Sequence, residues 1–379
     1  MYIVLVGGNM KFVHISDLHI GKRLNEYSLI EDQRYILSEI VNIVKNEKAD
    51  GVLISGDVYD KSVPSAEAVS LLDSFLEELS DTKAKVFIIS GNHDSAERIA
   101  YGGRAFEKQG IYISPVFEGD VSKVELSDDF GTVNVYLLPF IKPANVRRFF
   151  ENSEIITYTD AVDTVIKSLD ININERNVIL AHQFVTGAER RDSEEISVGG
   201  IDNVDGFVFD KFDYVALGHI HKSQKIGKEN MRYSGTPLKY SASEAGDVKS
   251  VTVIEFKEKG NVSINEIELK PLRDYVEIKG KLEDVIKGED LNSFVRITLT
   301  DEDAVVDAYG KLVGKYPYMT ELVFERKRKE IYSNNSFSIQ KTPWEQFEDF
   351  YTIINGKELS DEQRKTVYEL FEHIKEEEE

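Results

Sequence analysis

The chain has 379 residues and a formal net charge of −22, with 68 acidic and 46 basic side chains. It contains no cysteine, which excludes disulfides, thiolate nucleophiles and cysteine-based zinc sites. The absence of cysteine fits a cytoplasmic location, and the length of the chain predicts two or more domains. No apolar run approaches the roughly 18 residues of a membrane-spanning helix, so no membrane segment is expected.

The first hundred residues alternate between strand and helix patterns. Buried strands are predicted at 11–16, 51–55 and 85–90. Residues 29–48 have apolar side chains at helical spacing, and Ser65 is a suitable N-cap for a second helix. Its apolar face would comprise Val69, Leu72, Leu76 and Leu79. This βαβαβ order predicts a parallel sheet with crossover helices. The N-terminus lacks the basic segment of a signal peptide, and translation could start at Met1 or Met10.

Strand patterns continue through the middle of the chain. Apolar runs at 133–140, 177–181 and 214–218 predict three more buried strands. Closely spaced strands between 231 and 269 are expected to be antiparallel, either finishing the sheet or forming a second one. The pattern then restarts, and residues 275–326 predict a second small α/β unit in the order strand, helix, strand, helix, strand.

The C-terminal segment differs from the rest and contains the only tryptophan, Trp344. Ser360 and Gln363 form a possible capping box, and an apolar stripe follows it at Val367, Leu370, Phe371 and Ile374. Such a stripe suits a partner groove, although the segment could also fold back on its own domain. We therefore divide the chain into residues 10–270, 271–330 and 335–379.

Side chains able to bind metals follow five of the predicted strands. They are Asp17, His19, Asp57, Asn92, His93, Asp94, His182, His219 and His221. Ligand sites of parallel sheets lie outside the carboxyl ends of the strands, so these residues are expected to share one crevice. Five of the seven histidines fall at these strand ends, which makes chance a poor explanation.

The chemistry of this set indicates a pair of metal ions. Carboxylate, amide and imidazole ligands without sulfur suit Mn²⁺, Fe or Zn²⁺, and the oxygen ligands favour the harder ions. The set is too large for one tetrahedral zinc, but it suits two ions about 3.5–4 Å apart that share a carboxylate and act on a phosphate ester. Gly56, Gly91 and Gly218 each precede a ligand, where a sharp turn or a close phosphate would require glycine.

Two other histidines have simpler interpretations. His14 lies inside the first strand and is expected to be a core histidine, and His373 is expected to lie on the surface of the terminal helix. The net charge argues against binding nucleic acid by bulk attraction, although metal ions or a basic partner could meet the phosphates. The basic clusters at 147–148, 190–191 and 326–329 are most simply solvated faces.

The motifs "DLH", "GD", "GNHD", "AH" and "GHIH" over residues 10–240 resemble those of the calcineurin-like metallophosphoesterase superfamily. Within it, segments such as "SGDVYDKSVPSAEAV" and "YSGTPLKYSASEA" look like the bacterial nuclease subunits that act with a coiled-coil ATPase. The resemblance extends over nearly the whole chain. It implies a four-layer α/β sandwich with a small α/β capping domain at 271–330 and a C-terminal helical tail.

The resemblance also implies roles for the strand-end residues. One metal would be held by Asp17, His19 and His221, the other by Asn92, His182 and His219, and Asp57 would bridge them. His93 would contact the phosphate and help to expel the leaving oxygen, and Asp94 could orient it. Archaeal and eukaryotic relatives have a histidine three residues after the bridging aspartate. Asp60 stands there in this chain, so no second catalytic histidine is implied.

The implied activity is that of a manganese-dependent nuclease on DNA. The resemblance implies exonuclease action on duplex ends, driven by the ATPase partner, and endonuclease action on single strands and hairpins. The tail 335–379 would bind the ATPase, the capping domain would help to steer DNA, and the chain would be a homodimer within a two-plus-two assembly.

Three other functions remain open on the sequence alone. A protein phosphatase would show "GDxVDRG", whereas Lys61 follows Asp60 here. A small-molecule phosphodiesterase is harder to exclude from the motifs, although the roughly 140 residues after the site argue against it. A non-catalytic scaffold on the same fold would be expected to lack some of the ligands.

Overall fold

The computed structural model describes residues 2–4, 8–151, 154–194, 202–289, 292–302, 305–325 and 343–368. Elements are numbered along the chain. The strands are β1 Tyr2–Val4, β2 Met10–Ile15, β3 Arg23–Leu24, β4 Tyr27–Ser28, β5 Gly51–Ser55, β6 Lys85–Ile89, β7 Ile111–Ile113, β8 Ser122–Asp128, β9 Gly131–Leu138, β10 Arg176–His182, β11 Phe184–Val185, β12 Asn203–Val204, β13 Tyr214–Gly218, β14 Gln224–Ile226, β15 Lys228–Tyr233, β16 Ser250–Phe256, β17 Val262–Glu268, β18 Tyr275–Gly280, β19 Phe294–Leu299 and β20 Met319–Phe324. The helices are α1 Ile30–Glu47, α2 Ala66–Asp81, α3 Ala96–Ile99, α4 Gly103–Phe106, α5 Pro143–Val146, α6 Tyr158–Ser168, α7 Leu282–Lys287, α8 Ala308–Val313 and α9 Pro343–Asn355.

Two large sheets form the body of the protein. The first has the order β17-β16-β2-β5-β6-β7, with β2, β5, β6 and β7 parallel, as the βαβαβ pattern predicts. Strands β16 and β17 are antiparallel and finish this sheet. The second has the order β1-β8-β9-β10-β13-β15-β14. Strand β15 overlaps the start of the region where antiparallel strands were expected. It pairs in parallel with β13, so the expectation was wrong for this pair.

The two sheets pack face to face between two helical layers. The core between them is formed by apolar side chains from both sheets, among them Phe12, Phe87, Leu180 and Ile254. Helices α1 and α2 cover the outer face of the first sheet, and α6 covers that of the second. Strands buried on both faces have nearly continuous apolar sequences, which is why their signal in the sequence is strong. The result is the four-layer sandwich expected from the sequence.

Helix α2 begins where predicted but buries a different face. The Ser65 hydroxyl accepts the Ala68 N–H at 3.2 Å and caps the helix. The buried residues are Ala68, Leu71, Phe75 and Leu79, whereas Val69 is 46% exposed. The predicted face was therefore wrong at Val69, because several apolar positions compete at helical spacing in this segment.

A third sheet, in the order β18-β19-β20, follows the body. Its strands are all parallel, and with α7 and α8 they enclose a small core of their own. Its order of strand, helix, strand, helix and strand is the one predicted from the sequence. The Arg273 guanidinium joins this unit to the body, since it donates to the buried carboxylate of Asp32 at 2.9 and 2.8 Å.

The C-terminal segment contains α9 and a further helical stretch at 361–368. Ser360 and Gln363 form the expected capping box, with hydrogen bonds of 3.1 and 3.3 Å. The Trp344 ring contacts Tyr368, with 5.3 Å between the ring centroids. The apolar stripe beyond Tyr368, His373 and the basic cluster 326–329 lie outside the described residues. In the ranges that the structure describes, no helix is long and apolar enough to span a membrane.

The domain limits set from the sequence stay a prediction. One feature lies outside them, because β1, at residues 2–4, pairs with β8 and adds a strand to the second sheet. Residues 2–4 thus belong to the second sheet in this structure.

Candidate metal centre

The strand ends of both large sheets meet at one crevice. Strands β2, β5 and β6 of the first sheet bring Asp17, His19, Asp57, Asn92 and His93, and β10 and β13 of the second bring His182, His219 and His221. Two hydrogen bonds hold the crevice together: Asp17 N–H donates to Gly56 O at 3.0 Å, and His219 N–H donates to the Asp17 carboxylate at 3.0 Å. All the site residues expected from the sequence are therefore close together.

Several of these residues adopt a strained backbone. Asp17, His19, Asp57 and His219 have φ values of 52°, 42°, 48° and 103°. Aspartate and histidine enter this left-handed region more often than most residues, but it still costs free energy. Such strain tends to be concentrated at functional sites, where it aims side chains that a regular strand would direct elsewhere.

Backbone conformation at Gly56 and lack of space at Gly91 and Gly218 explain the three glycines that precede ligands. Gly56 has a φ of 87°, as expected for a sharp turn. No positive φ is needed at Gly91 or Gly218, but neither has space for a side chain. A Cβ on Gly218 would lie 1.9 Å from Ser55 O, and a Cβ on Gly91 would lie 2.1 Å from Asp57 Oδ1. Close approach of the chain to itself, and not to a phosphate, requires glycine there.

A first cluster consists of Asp17, His19 and His221, whose candidate ligand atoms all lie within 4.8 Å of one another. The Nε2 atoms of His19 and His221 face each other at 3.2 Å. The Asp57 carboxylate lies beside them, with its Oδ2 at 3.7 Å from His19 Nε2.

A second cluster forms around the Asn92 side chain. Its Oδ1 lies 3.0 Å from His182 Nε2 and 2.9 Å from His219 Nδ1. The Asp57 Oδ2 lies 3.3 Å from His182 Nε2, so the same carboxylate oxygen borders both clusters. This is the arrangement that a bridging ligand between two ions would need.

The electrostatics of the site favour cations. Burial would raise the pKa of Asp57, but the imidazoles around it, His182 first, bring it below its usual value. Burial would lower the pKa of His182, but the Asp57 carboxylate raises it to about 9. Burial lowers the pKa of His219 to about 3 and also lowers those of His19 and His221, which keeps their rings neutral. An ionised carboxylate beside the neutral imidazoles of His19, His219 and His221 fits divalent metal ions, and His182 would give up its proton on binding one.

His93 lies at the open side of the crevice, with 16% of its side chain exposed. Its N–H donates to Asp57 Oδ1 at 2.9 Å, and its Nε2 lies 3.9 Å from Asp57 Oδ2. Its Nδ1 faces the Asp60 carbonyl oxygen at 3.2 Å, which fixes the ring so that Nε2 is directed to the site.

Asp94 lies between the turns that carry Asp57 and His93, and its role in orienting His93 stays a prediction. Its carboxylate accepts N–H groups of Val58 at 3.1 Å, Tyr59 at 2.9 Å and Gly91 at 2.9 Å. It therefore ties the turn after Asp57 to the turn before His93. These contacts support the site through the backbone, and the ring of His93 is held by the Asp60 carbonyl.

Residues that the sequence reasoning missed surround the ligands. Gln33, in the first turn of α1, donates to His19 O at 2.7 Å and accepts Gly21 N–H at 2.9 Å, which holds the loop after β2. Behind His221, the Ser193 hydroxyl lies 2.7 Å from its Nδ1 and 2.6 Å from Glu244 Oε1. Glu244 lies in the quoted segment "YSGTPLKYSASEA", but neither it nor the other two was singled out, because polar residues in loops have no periodicity to reveal them.

Arg190 and Arg191 each form an ion pair with an aspartate, so the expectation of a solvated face was wrong there. Arg190 donates to both oxygens of Asp202 at 3.1 and 3.0 Å, and its guanidinium lies 3.6 Å from the Phe184 ring centroid. Arg191 pairs with Asp247 at 2.8 Å. They anchor the segment that brings Ser193 behind His221.

A four-layer sandwich with a divalent-metal crevice at its strand ends defines a metallophosphoesterase. A model of the family "Calcineurin-like phosphoesterase" matches residues 10–223, and the chain belongs to this family. Among curated proteins it is similar to the SbcD component of the nuclease SbcCD from Staphylococcus epidermidis, with 34% identity over 382 residues that cover 96% of this chain and 99% of that protein.

Solved structures are more distant. A dimetal phosphatase from Danio rerio has a TM-score of 0.38 and 13% identity, covering 69% of this chain and 99% of that one. A cold-active protein-tyrosine phosphatase of a psychrophilic Shewanella has a TM-score of 0.29 and 11% identity, covering 70% of this chain and 82% of that one. The family assignment depends on the family model and on the curated relative.

Proposed function

We propose that this chain is the nuclease component of an SbcCD-type complex and hydrolyses DNA phosphodiester bonds with two Mn²⁺ ions. The observation that supports this most directly is the convergence of two ligand clusters on one oxygen of Asp57, with His93 beside it. The similarity to an SbcD protein over 96% of the chain supports the choice of substrate and partner within the family.

The proposed ligands divide into two groups. Asp17, His19 and His221 hold one ion, and Asn92, His182 and His219 hold the other, with Asp57 shared. When bound, the ions polarise the phosphoryl oxygens and activate a water for in-line attack. The protein orients its imidazoles by their other nitrogens, as in the hydrogen bond of 2.8 Å from His182 Nδ1 to Ser55 O.

His93 is proposed to act on the leaving group. The Asp60 carbonyl accepts the hydrogen of Nδ1, and Nε2 points towards the position of the phosphate. Attack of water on phosphorus breaks the bond to the ester oxygen, and a proton from His93 Nε2 neutralises that oxygen as it leaves. Its partial exposure lets a large substrate reach it, unlike the buried carboxylate and imidazole ligands.

A partner is expected to supply the DNA-binding surface that this acidic chain lacks. With a net charge of −22, the chain by itself repels DNA, so an SbcC ATPase that binds DNA would deliver the substrate. In this proposal the tail 335–379 docks on SbcC and the unit at 271–330 helps to steer DNA. The chain works as a homodimer in a two-plus-two heterotetramer. Its activities are ATP-driven exonuclease on duplex ends and endonuclease on single strands or hairpins, in cytoplasmic DNA repair, recombination and replication.

A nuclease assay tests the proposal. Linear duplex and hairpin DNA are incubated with the chain and Mn²⁺, with and without the ATPase partner, beside p-nitrophenyl phosphate and bis(p-nitrophenyl) phosphate. Cleavage of DNA and of the diester is expected. Activity confined to the monoester would instead favour a stand-alone phosphatase, and activity confined to the small diester would favour a small-molecule phosphodiesterase. A chain without stoichiometric metal would be a scaffold.

A further inference from the structure

The two ring nitrogens of His221 have different surroundings. Nε2 lies in the first cluster, 3.2 Å from His19 Nε2, whereas Nδ1 faces away from it towards Ser193 Oγ at 2.7 Å. A neutral imidazole has one N–H and one lone pair. For the lone pair of Nε2 to be offered to a metal, the hydrogen must be on Nδ1, and Ser193 Oγ must accept it.

Glu244 determines which way the Ser193 hydroxyl points. Ser193 Oγ lies 2.6 Å from Glu244 Oε1, and a carboxylate can only accept a hydrogen bond. The hydroxyl hydrogen is therefore given to Glu244, and the lone pairs of Oγ remain for His221 Nδ1–H. Glu244 Oε1 itself is 3.6 Å from Nδ1, beyond hydrogen-bond distance, so Ser193 is the necessary intermediate.

Lys249 keeps Glu244 charged in a fully buried position. The Lys249 ammonium lies 2.6 Å from Glu244 Oε2, and neither side chain is more than 6% exposed. The same ammonium donates to His221 O at 3.0 Å. A buried ion pair adds little net stability, which makes a role in orienting a neighbour a reasonable explanation for it.

The backbone of His221 also has two partners besides Lys249. Its N–H donates to Glu194 Oε1 at 2.8 Å, and its carbonyl oxygen accepts Thr236 N–H at 3.1 Å. What Glu244 sets is the direction of the hydrogen bonds from Nδ1 through Ser193, and hence the tautomer of the ring.

We infer that Glu244 is a positioning residue, which acts through Ser193 to hold His221 in the tautomer whose Nε2 can bind a metal ion. This inference rests on the proposed metal-binding role of His221 and extends the site to a residue 23 positions further along the chain. A carboxylate that polarises a metal-bound histidine is a common arrangement, and its loss typically weakens metal binding about 10- to 100-fold.

The substitution Glu244→Gln tests whether Glu244 sets the direction of the hydrogen bonds between Ser193 and His221. The glutamine oxygen is expected to face Lys249, which leaves the amide NH₂ facing Ser193. The hydroxyl then donates to His221 Nδ1, and the hydrogen of the ring moves to Nε2, where it blocks the metal. Nitrogen NMR of the metal-free, ¹⁵N-histidine-labelled protein should show this change of tautomer. Mn²⁺ titration followed by electron paramagnetic resonance should show one of two ions bound about 10- to 100-fold more weakly.

Two substitutions at Ser193 distinguish loss of the hydrogen bonds from loss of folding. Ser193→Ala removes the intermediate and should weaken the same ion, whereas Ser193→Thr keeps the hydroxyl and should restore binding. A matched control is Asp128→Asn, which breaks another buried ion pair, with Arg176, at the opposite end of β10. It should lower the midpoint temperature of thermal unfolding of the metal-free protein and leave its affinity for Mn²⁺ unchanged.

The outcomes separate this inference from the proposed function. If Glu244→Gln keeps the Nδ1–H tautomer and parental affinity for both ions, while His221→Ala loses an ion, Glu244 is only part of the core. If His221→Ala itself retains both ions at parental affinity, the ligand assignment is wrong, and the inference is overturned with it. Weakening by Asp128→Asn equal to that by Glu244→Gln would show a general effect of stability and would also overturn it.

Discussion

Replacing Gly218 with alanine should disrupt the metal centre by separating the two sheets. Gly218 ends β13 of the second sheet, and a Cβ on it would lie 1.9 Å from the carbonyl oxygen of Ser55, which ends β5 of the first. Ordinary contact begins at 3.4 Å, so the gap has to widen by about 1.5 Å. Both atoms that clash belong to strand ends held in hydrogen-bonded sheets, so neither can move alone.

The expected cost follows from this displacement. Overpacking of a closely packed interior usually costs about 1–3 kcal/mol of folding free energy. The Ser55 oxygen also accepts His182 Nδ1–H at 2.8 Å, and losing that bond adds about 1 kcal/mol. Displacement of catalytic groups by about 1 Å can lower a rate about 100-fold. We therefore expect a loss of about 2–4 kcal/mol in stability and about 100-fold in activity.

Two measurements check this prediction against a matched control. Urea unfolding in EDTA gives the stability of the metal-free protein, and hydrolysis of bis(p-nitrophenyl) phosphate with saturating Mn²⁺ gives the activity. Gly246→Ala is the control, since a Cβ there meets nothing within 4 Å, and it should leave both values unchanged. Parental stability and activity in Gly218→Ala would refute the argument that close approach of the sheets sets the site.

Three other predictions follow from the site and its core. His93→Ala should abolish cleavage of DNA while two metal ions per chain remain by elemental analysis, and undiminished cleavage would sink the proposed role. Asp57→Ala should lose both ions at micromolar concentrations, because its Oδ2 borders both clusters, and full occupancy would contradict a bridge. Burial lowers the pKa of His14 to about 3, below its unfolded value of 6.5, so this group makes the protein less stable as the pH falls below 6.5. The share of His14 in the loss at pH 5.5 should be about 1.4 kcal/mol in urea unfolding, so His14→Asn should lose about 1.4 kcal/mol less than the parent; an equal acid sensitivity in both proteins would rule the explanation out.

The ligand residues could be predicted because each follows a short, strongly apolar strand. The residue types and their position at strand ends are local properties, and the sequence displays them directly. His14 illustrates the same point, since its place inside β2 indicated a core residue, and it is fully buried with Nδ1 at 3.0 Å from Tyr214 Oη. The division of the ligands between two sheets is a consequence of strand pairing over long distances, which no local pattern specifies.

The supporting residues could not be predicted for a related reason. Ser193 and Glu244 are 51 residues apart, and their hydrogen bond depends on the packing of two irregular segments. Asp94 was correctly placed near the site, but its backbone partners at 58, 59 and 91 become apparent only when the two turns are seen together. Side chains that satisfy backbone groups in turns leave no periodic signal.

The spacing of the ligands along the chain has a consequence for biosynthesis. Each cluster combines residues from the first hundred positions with His219 or His221, so neither can close before β13 has been made and paired with β10. The contact between His19 and His221 joins residues 202 positions apart, and contacts between distant residues form late in folding. A fragment that stops before β13 therefore lacks His219 and His221, and neither cluster is complete in it. Both clusters are complete only when the strand ends of the two large sheets have come together.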